Sequence, residues 1–497
     1  MKSIDDARPS RGRGDRGVAL SRILPRSRFF ACDDIVANSF SDDAARCRRG
    51  DVFVARMTTD GDGHDDVARA VARGAAGVIA ERMVPTAGTP LCVVPDSHWA
   101  HARLAHALAG DPAREMRLIA ITGTSGKTTT AWLTAAVLAE AGLRVGVLSD
   151  LGCLDADATT PEPADFARPA VLAAWLRRLA AGGCSHAVVE VSSRMLAEQA
   201  LAGVACDTVA VTNIGAAHLD LHGTVRSYRR VKARILDALG HGGCLVADGD
   251  GGLERLLARA TRLERGVTCL TTGLTAGCDL RARSIERSLH GQTFLLSAGG
   301  QSLPVSVDAP VTSFARNALT AAAIGLHHGI PLERIVAGIE AAGSVAGRME
   351  RIDRGQDVPV FVDSPTSGHA LRATLRSLRR LTRGRLAVIA DERAVAVVGH
   401  EAFEQAAFRW CDQSVVAPAT MMNDAEEQPG QADLAAYAAI DRLLSRSAGR
   451  DCVLVLGDPA SVGPGPGAPA EAASLPRVID GWLQLAHPPR PVGRRAA

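Results

Sequence analysis

Short apolar runs bounded by polar and turn residues recur along the chain, and the segments between them carry apolar residues at helical spacing. From about residue 29 to 114 the runs DVFVA (51–55), AGVIAE (76–81) and LCVVPD (91–96) alternate with Ala-rich stretches. This predicts a small α/β unit ending near Asp111-Pro112. A second alternation starts at Arg117: RLIAIT (117–122) predicts a strand, a Gly-rich turn follows, and TTTAWLTAAVLAEAG predicts a helix closed by Gly142. Further apolar strands are RVGVLS (144–149), HAVVEV (186–191), DTVAVTN (207–213) and CLVAD (244–248). Continuously apolar strands separated by helices predict a parallel sheet covered on both faces. Between 268 and 308 the pattern turns hairpin-like around Gly291 and Gly299-Gly300, and helices are predicted at 314–328 and 331–342. After Gly347 a third alternation has strands at 358–363, 385–390, 414–418 and 452–457.

The expected class is therefore α/β with three domains, since 497 residues exceed one ordinary core. The expected division is a basic tail (1–28), a small α/β domain (29–114), a central parallel-sheet domain (115–345), a Rossmann-like domain (346–487) and a second tail (488–497). The first tail alternates Arg8, Arg11, Arg13, Arg16, Arg22, Arg26 and Arg28 with Gly, Ser and Pro. A net charge of +2 argues against nucleic acid as a partner. No run is long and apolar enough for a membrane span, and no compact apolar region marks a signal peptide, so the expectation is a cytoplasmic protein without membrane insertion. Eleven scattered cysteines without a CxxC pair fit reduced, mostly buried thiols.

Of the 56 Lys plus Arg, only Lys2, Lys127 and Lys232 are lysine. Lys127 lies in TGTSGKTTT (122–130), a Gly-rich turn between strand and helix whose N–H groups suit nucleotide phosphates. Gly123, Thr124, Ser125, Gly126 and Thr129 belong to that cradle; Lys127 would reach the terminal phosphates and the Thr128 hydroxyl would hold Mg²⁺. The longer form GxxxxGK[ST] would want Gly at position 121, where Ile121 stands. A guanidinium is too bulky and planar for that slot, which explains a lysine there. Glu190 closes the strand before VSS, and a carboxylate at a strand end beside a phosphate loop suits Mg²⁺. TNIGAAHLDLHGT places Asn213, His218, Asp220 and His222 after another strand end. Tyr228 and Lys232, spaced i, i+4, share one helix face.

GTSGKTT, TTP (159–161), EVSS (190–193), TN...HLDLHGT (212–224) and Y-x-x-x-K (228–232) together resemble the Mur ligase family, nearest its MurE branch. The resemblance runs from about residue 40 to 380 and includes GDVFVA and FARNALTAAAIGLHHGIPLERIVAGIEA. It implies an ATP-dependent ligase that adds an amino acid to UDP-MurNAc-L-Ala-D-Glu through an acyl phosphate, acting as a monomer, with the N-terminal domain holding the UDP moiety. By position, it implies Lys127, His218 and Lys232 at the catalytic centre, and Thr128, Glu190, His218 and Lys232 around magnesium, with Lys232 carbamylated by CO₂. It further implies ATP contacts from Asn213, Asn317, Arg348 and Asp363, and substrate contacts from Thr159, Thr160 and Ser192. Carbamylation needs a neutral primary amine, which arginine cannot offer.

The departures from the family pattern cluster. The Gln-x-Arg after EVSS reads Glu198 and Ala200, the Arg-Asp before HLD reads Ala216-Ala217, and the N-terminal DSR reads Asp43-Ala44-Ala45. In DSPTSGHAL (363–371) the expected His is Thr366; GxGGDRD and DNPR are absent, and GDPAS (457–461) replaces GKGHE. ATP-handling positions are largely kept while amine-recognition motifs are mostly lost. This leaves open a nucleotide-binding protein without ligase activity, or a ligase with another substrate.

Overall fold

A computed structural model describes residues 17–58, 61–155, 158–160, 166–215, 223–263, 265–418, 431–457 and 475–486. The strand Arg117–Thr122 lies in the middle of an eleven-stranded sheet. Its parallel neighbours are His186–Glu190 and Cys206–Val211. Val145–Ser149 continues the parallel array on one side, Leu239–Asp248 and Thr268–Gly273 on the other. The period-two alternation of a strand sorts its side chains. Ile119 and Ile121 are buried with residues of the helices Lys127–Glu140, Thr312–His327 and Leu332–Ala342. Leu118 and Ala120 are buried with Leu172, Trp175 and Leu176 of the helix Pro169–Ala181 on the opposite face. Burying each such Leu or Ile contributes about 1.5–3 kcal/mol.

The expectation of a parallel sheet holds for these inner strands and is corrected at the edges. Gly152–Asp155 and Thr159–Thr160 add antiparallel at one side. The hairpin strands Leu280–Ser288, Gly291–Ala298 and Gln301–Val307 do not stand apart but extend the same sheet, because Leu280 and Arg281 pair with Thr272 and Gly273. Before the central sheet lies a five-stranded one, ordered Arg28–Phe30, Leu91–Val93, Gly77–Ala80, Val52–Val54, Phe40–Ser41. After it comes another, ordered Arg348–Ile352, Val360–Asp363, Cys452–Leu456, Leu386–Asp391, Gln413–Ala417. The basic tail needs correcting too: Leu20 and Leu24, inside the stretch 1–28, are buried with Val52, Ile79 and Leu104. Their apolar side chains decide the matter against the arginines around them.

One charged network joins the first sheet to the central one. Arg56 pairs with Asp42 and, at 2.6 Å, with Glu198; Arg168 Nη2 donates to Asp42 Oδ1 at 3.1 Å, and His98 Nδ1 lies 3.4 Å from Glu198. Burial alone would raise the Asp42 carboxyl, yet His101, Arg56 and Arg168 hold it down at about 2. The hydrogen bond from His98 and the charge of Arg56 bring Glu198 to about 2 as well. Both carboxylates therefore add stability above their ordinary values of 3.8 and 4.5, and lose it as pH falls towards 2. Arg56→Met, which leaves two half-enclosed carboxylates without their shared cation, is expected to cost about 3 kcal/mol at pH 7. Melting temperatures of both proteins from pH 7 to pH 3 would check this; a difference that fails to shrink towards pH 3 would contradict the account.

Candidate active site

The loop after Arg117–Thr122 is pinned from the neighbouring strand end. Asn213 Oδ1 accepts from Ser125 N at 3.1 Å, while its Nδ2 donates to Ser125 O at 3.0 Å, where Thr212 Oγ1 also donates at 2.6 Å. Asn213 thus spends its amide on holding the loop. Gly126 has φ 81° and a Cβ there would collide with Asn317 Oδ1, so the turn into the helix requires glycine. The helix Lys127–Glu140 starts directly behind it, leaving its first N–H groups and positive end toward the cleft. Thr124 Oγ1 accepts from Gly215 N at 2.9 Å and lies 3.2 Å from the Tyr228 hydroxyl.

Lys127 Nζ stands 3.5 Å from Glu190 Oε1, and Glu190 is wholly buried. Its Oε2 accepts from Asp150 N at 3.2 Å, whereas Oε1 has no hydrogen-bond partner. Burial and, next, Asp150 push the Glu190 carboxyl up, against Lys127 and Arg348. A buried carboxylate oxygen left without a donor beside a phosphate loop fits a magnesium ion, which binds through one or two carboxylates plus substrate phosphates. Among the described residues no group of three or more His, Cys, Asp or Glu could hold a metal, so protein ligands would come from Glu190 and Thr128. His218 lies outside the described residues.

Lys232 and Tyr228 do share a face of the helix Val225–Ala233, both essentially fully buried. Lys232 Nζ donates to Thr122 Oγ1 at 2.9 Å and lies 5.7 Å from the centre of the Tyr228 ring. Burial first, then the charge of Lys127, pushes its amine far below the ordinary lysine range. The third sheet supplies the opposite wall of the cleft. Arg348 Nη2 donates to Thr128 Oγ1 at 3.3 Å and its Nη1 to Ser364 O. Asp363, paired in register with Arg348, accepts from Thr374 Oγ1 at 3.0 Å. Ser125, Gly126, Lys127, Thr128, Thr129, Asn213, Asn317, Arg348 and Asp363 all line this one cleft.

Thr159, Thr160 and Ser192 do not line it. Thr159 and Thr160 sit on the edge strand, and Ser192 caps the helix Ser193–Ala197 by accepting from Met195 N at 3.1 Å. Glu198, where the resemblance expects a substrate-binding Gln, is committed to Arg56 and His98. Asp248 and Arg316, not among the expected residues, also line the cleft. A signal existed: Asp248 closes an apolar strand in CLVAD just as Glu190 closes HAVVE.

A family model of the Mur ligase middle domain matches residues 121–325. A UDP-N-acetylmuramyl-tripeptide synthetase of Roseiflexus is 32% identical over 435 residues, covering 82% of each chain. The 2,6-diaminopimelate ligase of Bacillus licheniformis is 32% identical over 369 residues, 72% of this chain and 73% of its own. This chain belongs to the Mur ligase family. Among solved structures, a UDP-N-acetylmuramoyl-L-alanyl-D-glutamate 2,6-diaminopimelate ligase superposes with TM-score 0.66 at 21% identity, over 90% of this Mur ligase and 93% of that chain. The MurF ligase of Thermotoga maritima in complex with ADP superposes with TM-score 0.53 at 18% identity, over 84% and 93%. The three-sheet Mur ligase architecture is thus shared well beyond the middle domain. Among the described residues, no helix is long and apolar enough to cross a membrane.

Proposed function

We propose that this Mur ligase joins an amino acid to UDP-MurNAc-L-Ala-D-Glu at the expense of ATP, as its tripeptide-synthetase relatives are named for doing. The observation that carries this is the single cleft in which Lys127 and Thr128 of the phosphate loop meet Arg348 and Asp363 of the third sheet. Loop N–H groups and the helix start would hold the nucleotide phosphates, and Lys127 would lie against the terminal phosphoryl group as it moves to the substrate carboxylate. Arg348, already across the cleft, would add a second cation against the charge that develops there. Mg²⁺, held by Glu190 and Thr128 with His218 as a further ligand, would neutralise phosphate charge when bound. The amine then attacks the acyl phosphate, and phosphate leaves from the tetrahedral intermediate.

The buried amine of Lys232 suits carbamylation: the neutral nitrogen adds to CO₂, a C–N bond forms, one proton is released, and a carboxylate-like group results. Thr159, Thr160 and Ser192 would contact the sugar-peptide from outside the nucleotide cleft. The reading includes division into domains near residues 114 and 345, and a monomer working in the cytoplasm, where ATP and nucleotide-activated precursors occur.

A second reading, a ligase for a different acceptor or amine, is favoured by Glu198, which is occupied by Arg56 and His98 where a substrate contact is expected. One assay separates the two: phosphate release from ATP with UDP-MurNAc-L-Ala-D-Glu and a mixture of amino acids, with product analysis by mass spectrometry. Amino-acid-dependent release with a tripeptide product is the expected result. Release only with another acceptor would move the assignment to the second reading, and nucleotide binding without turnover under all conditions would end both.

A further inference from the structure

The chain crosses from the first sheet to the central one through GDPAREMR (110–117), and a second cleft opens along this crossing. Its volume is about 640 Å³. His106 of the helix Ser97–Leu108 lines it, with Arg114, Met116 and Arg117 of the crossing and Val204 and Asp207 from the approach to and start of Cys206–Val211. Arg117 opens the strand whose far end, Thr122, leads into the phosphate loop. Five residues of strand put the two sites roughly 17 Å apart, at opposite ends of the central sheet. No residue of the nucleotide cleft lines this second one.

The polar groups here are only partly satisfied. His106 is 1% exposed, and its Nε2 lies 2.8 Å from the carbonyl oxygen of Ala200. A carbonyl only accepts, so Nε2 carries the proton, and burial keeps the ring neutral by pushing its basicity down. Nδ1 is then a buried lone pair, and it has no hydrogen-bond partner. Asp207 Oδ2 accepts from Leu118 N at 3.0 Å, whereas Oδ1 has no donor among the described residues. Two cations are equally unspent. Arg103 donates to both oxygens of Asp111, at 2.5 and 2.9 Å, which leaves Arg114 at 3.8 Å from a carboxylate already taken. Arg117 is tied to the sheet by its backbone, N–H to Ser185 O at 2.9 Å. Its exposed guanidinium has no carboxylate within ion-pair distance among the described residues.

We propose that this cleft binds a free amino acid, whose ammonium donates to His106 Nδ1 and Asp207 Oδ1 and whose carboxylate pairs with Arg114 and Arg117. An anion alone would leave His106 and Asp207 without donors, and a cation alone would leave both arginines without an anion. A small zwitterion satisfies the two sets together. Met116 and Val204, both buried, give its side chain an apolar wall. Because His106 belongs to the first unit and Asp207 to the central one, the occupant bridges the two and stabilises the folded chain by mass action.

The test takes the full chain, without nucleotide, through a panel of free L-amino acids covering every side-chain class. Thermal shift selects those that raise the melting temperature, and isothermal titration measures their affinity. Saturable binding is expected. The same side chain offered as the amine lacking the carboxylate, or as the acid lacking the amine, should bind at least about tenfold more weakly. Asp207→Asn, which keeps an oxygen for Leu118 N, and Arg117→Gln should each weaken the amino acid by at least about tenfold. ADP affinity of both variants should match wild type, so that failure here and failure of the nucleotide reading are told apart. No saturable binding by any amino acid overturns the inference and leaves His106 Nδ1 to a water molecule. Equal binding of either half-molecule overturns the zwitterion, and binding undiminished in both variants places the amino acid elsewhere. The wild-type titrations decide the matter even if a variant does not fold.

Discussion

Replacing Lys127 with alanine is expected to lower ATP-dependent phosphate release by about 10³-fold while the fold stays intact. The side chain is nine-tenths buried at the helix start, and its ammonium is the cation nearest Glu190, at 3.5 Å. Alanine removes the charge that would lie against the transferring phosphoryl group, yet leaves the loop amides pinned by Asn213 and Thr212. Ground-state binding of ADP should therefore weaken far less than turnover falls. Lys127→Arg should not restore activity: the slot is closed by Glu190 on one side and by the Gly126–Asn317 contact behind it, and a planar guanidinium needs more room than a compact ammonium. Steady-state phosphate release and ADP titration of both variants, with circular dichroism as the fold control, check this. Alanine turnover within tenfold of wild type would remove Lys127 from the chemistry.

The sequence made the phosphate loop legible because a strand, a glycine turn and a helix start each carry a local signal, and the rarity of lysine marked positions 127 and 232. The shared face of Tyr228 and Lys232 followed from helical spacing alone. Inner strands of the central sheet read well because burial on both faces makes them apolar throughout. Edge strands read poorly: Leu280–Ser288 alternates polar and apolar positions like a free hairpin, and only its pairing with Thr272 and Gly273 joins it to the sheet. The network of Asp42, Arg56, Arg168 and Glu198 was invisible, since its members are up to 156 residues apart and each passes for a surface charge. Arg22, Arg26 and Arg28 masked the buried Leu20 and Leu24 by the same ambiguity, in which long charged side chains surround apolar anchors. Asn213, expected to touch the cofactor, lines the cleft and also bonds the loop that would hold the phosphates, a second duty that no spacing encodes.

Lys232 should show activity and stability moving in opposite directions. Lys232→Met is expected to lower turnover by at least about 100-fold, because the carboxylate-like group that the lysine would provide at the metal is lost. The same substitution is expected to raise the melting temperature at neutral pH. The sign follows from linkage: the folded amine is held far below its ordinary value of 10.5, so below that pH the unfolded chain takes a proton that the folded chain refuses. The buried lysine therefore weakens folding increasingly as pH falls from 10.5, and methionine, of similar length and uncharged, removes that penalty. The gain should shrink as pH approaches 10.5. Lys232→Arg should lose activity as fully and also destabilise, because its guanidinium cannot shed its proton and would bury a fixed charge against Thr122, Tyr228 and Lys127. Carbamylation adds a third readout. Wild-type turnover should fall when bicarbonate is stripped and return with it, a carbamate carbon should appear by NMR with ¹³C-labelled bicarbonate, and small carboxylates such as acetate should partly rescue Lys232→Ala. Wild-type activity in Lys232→Met would leave the buried amine without a catalytic role, and a lower melting temperature at neutral pH would contradict its depressed basicity.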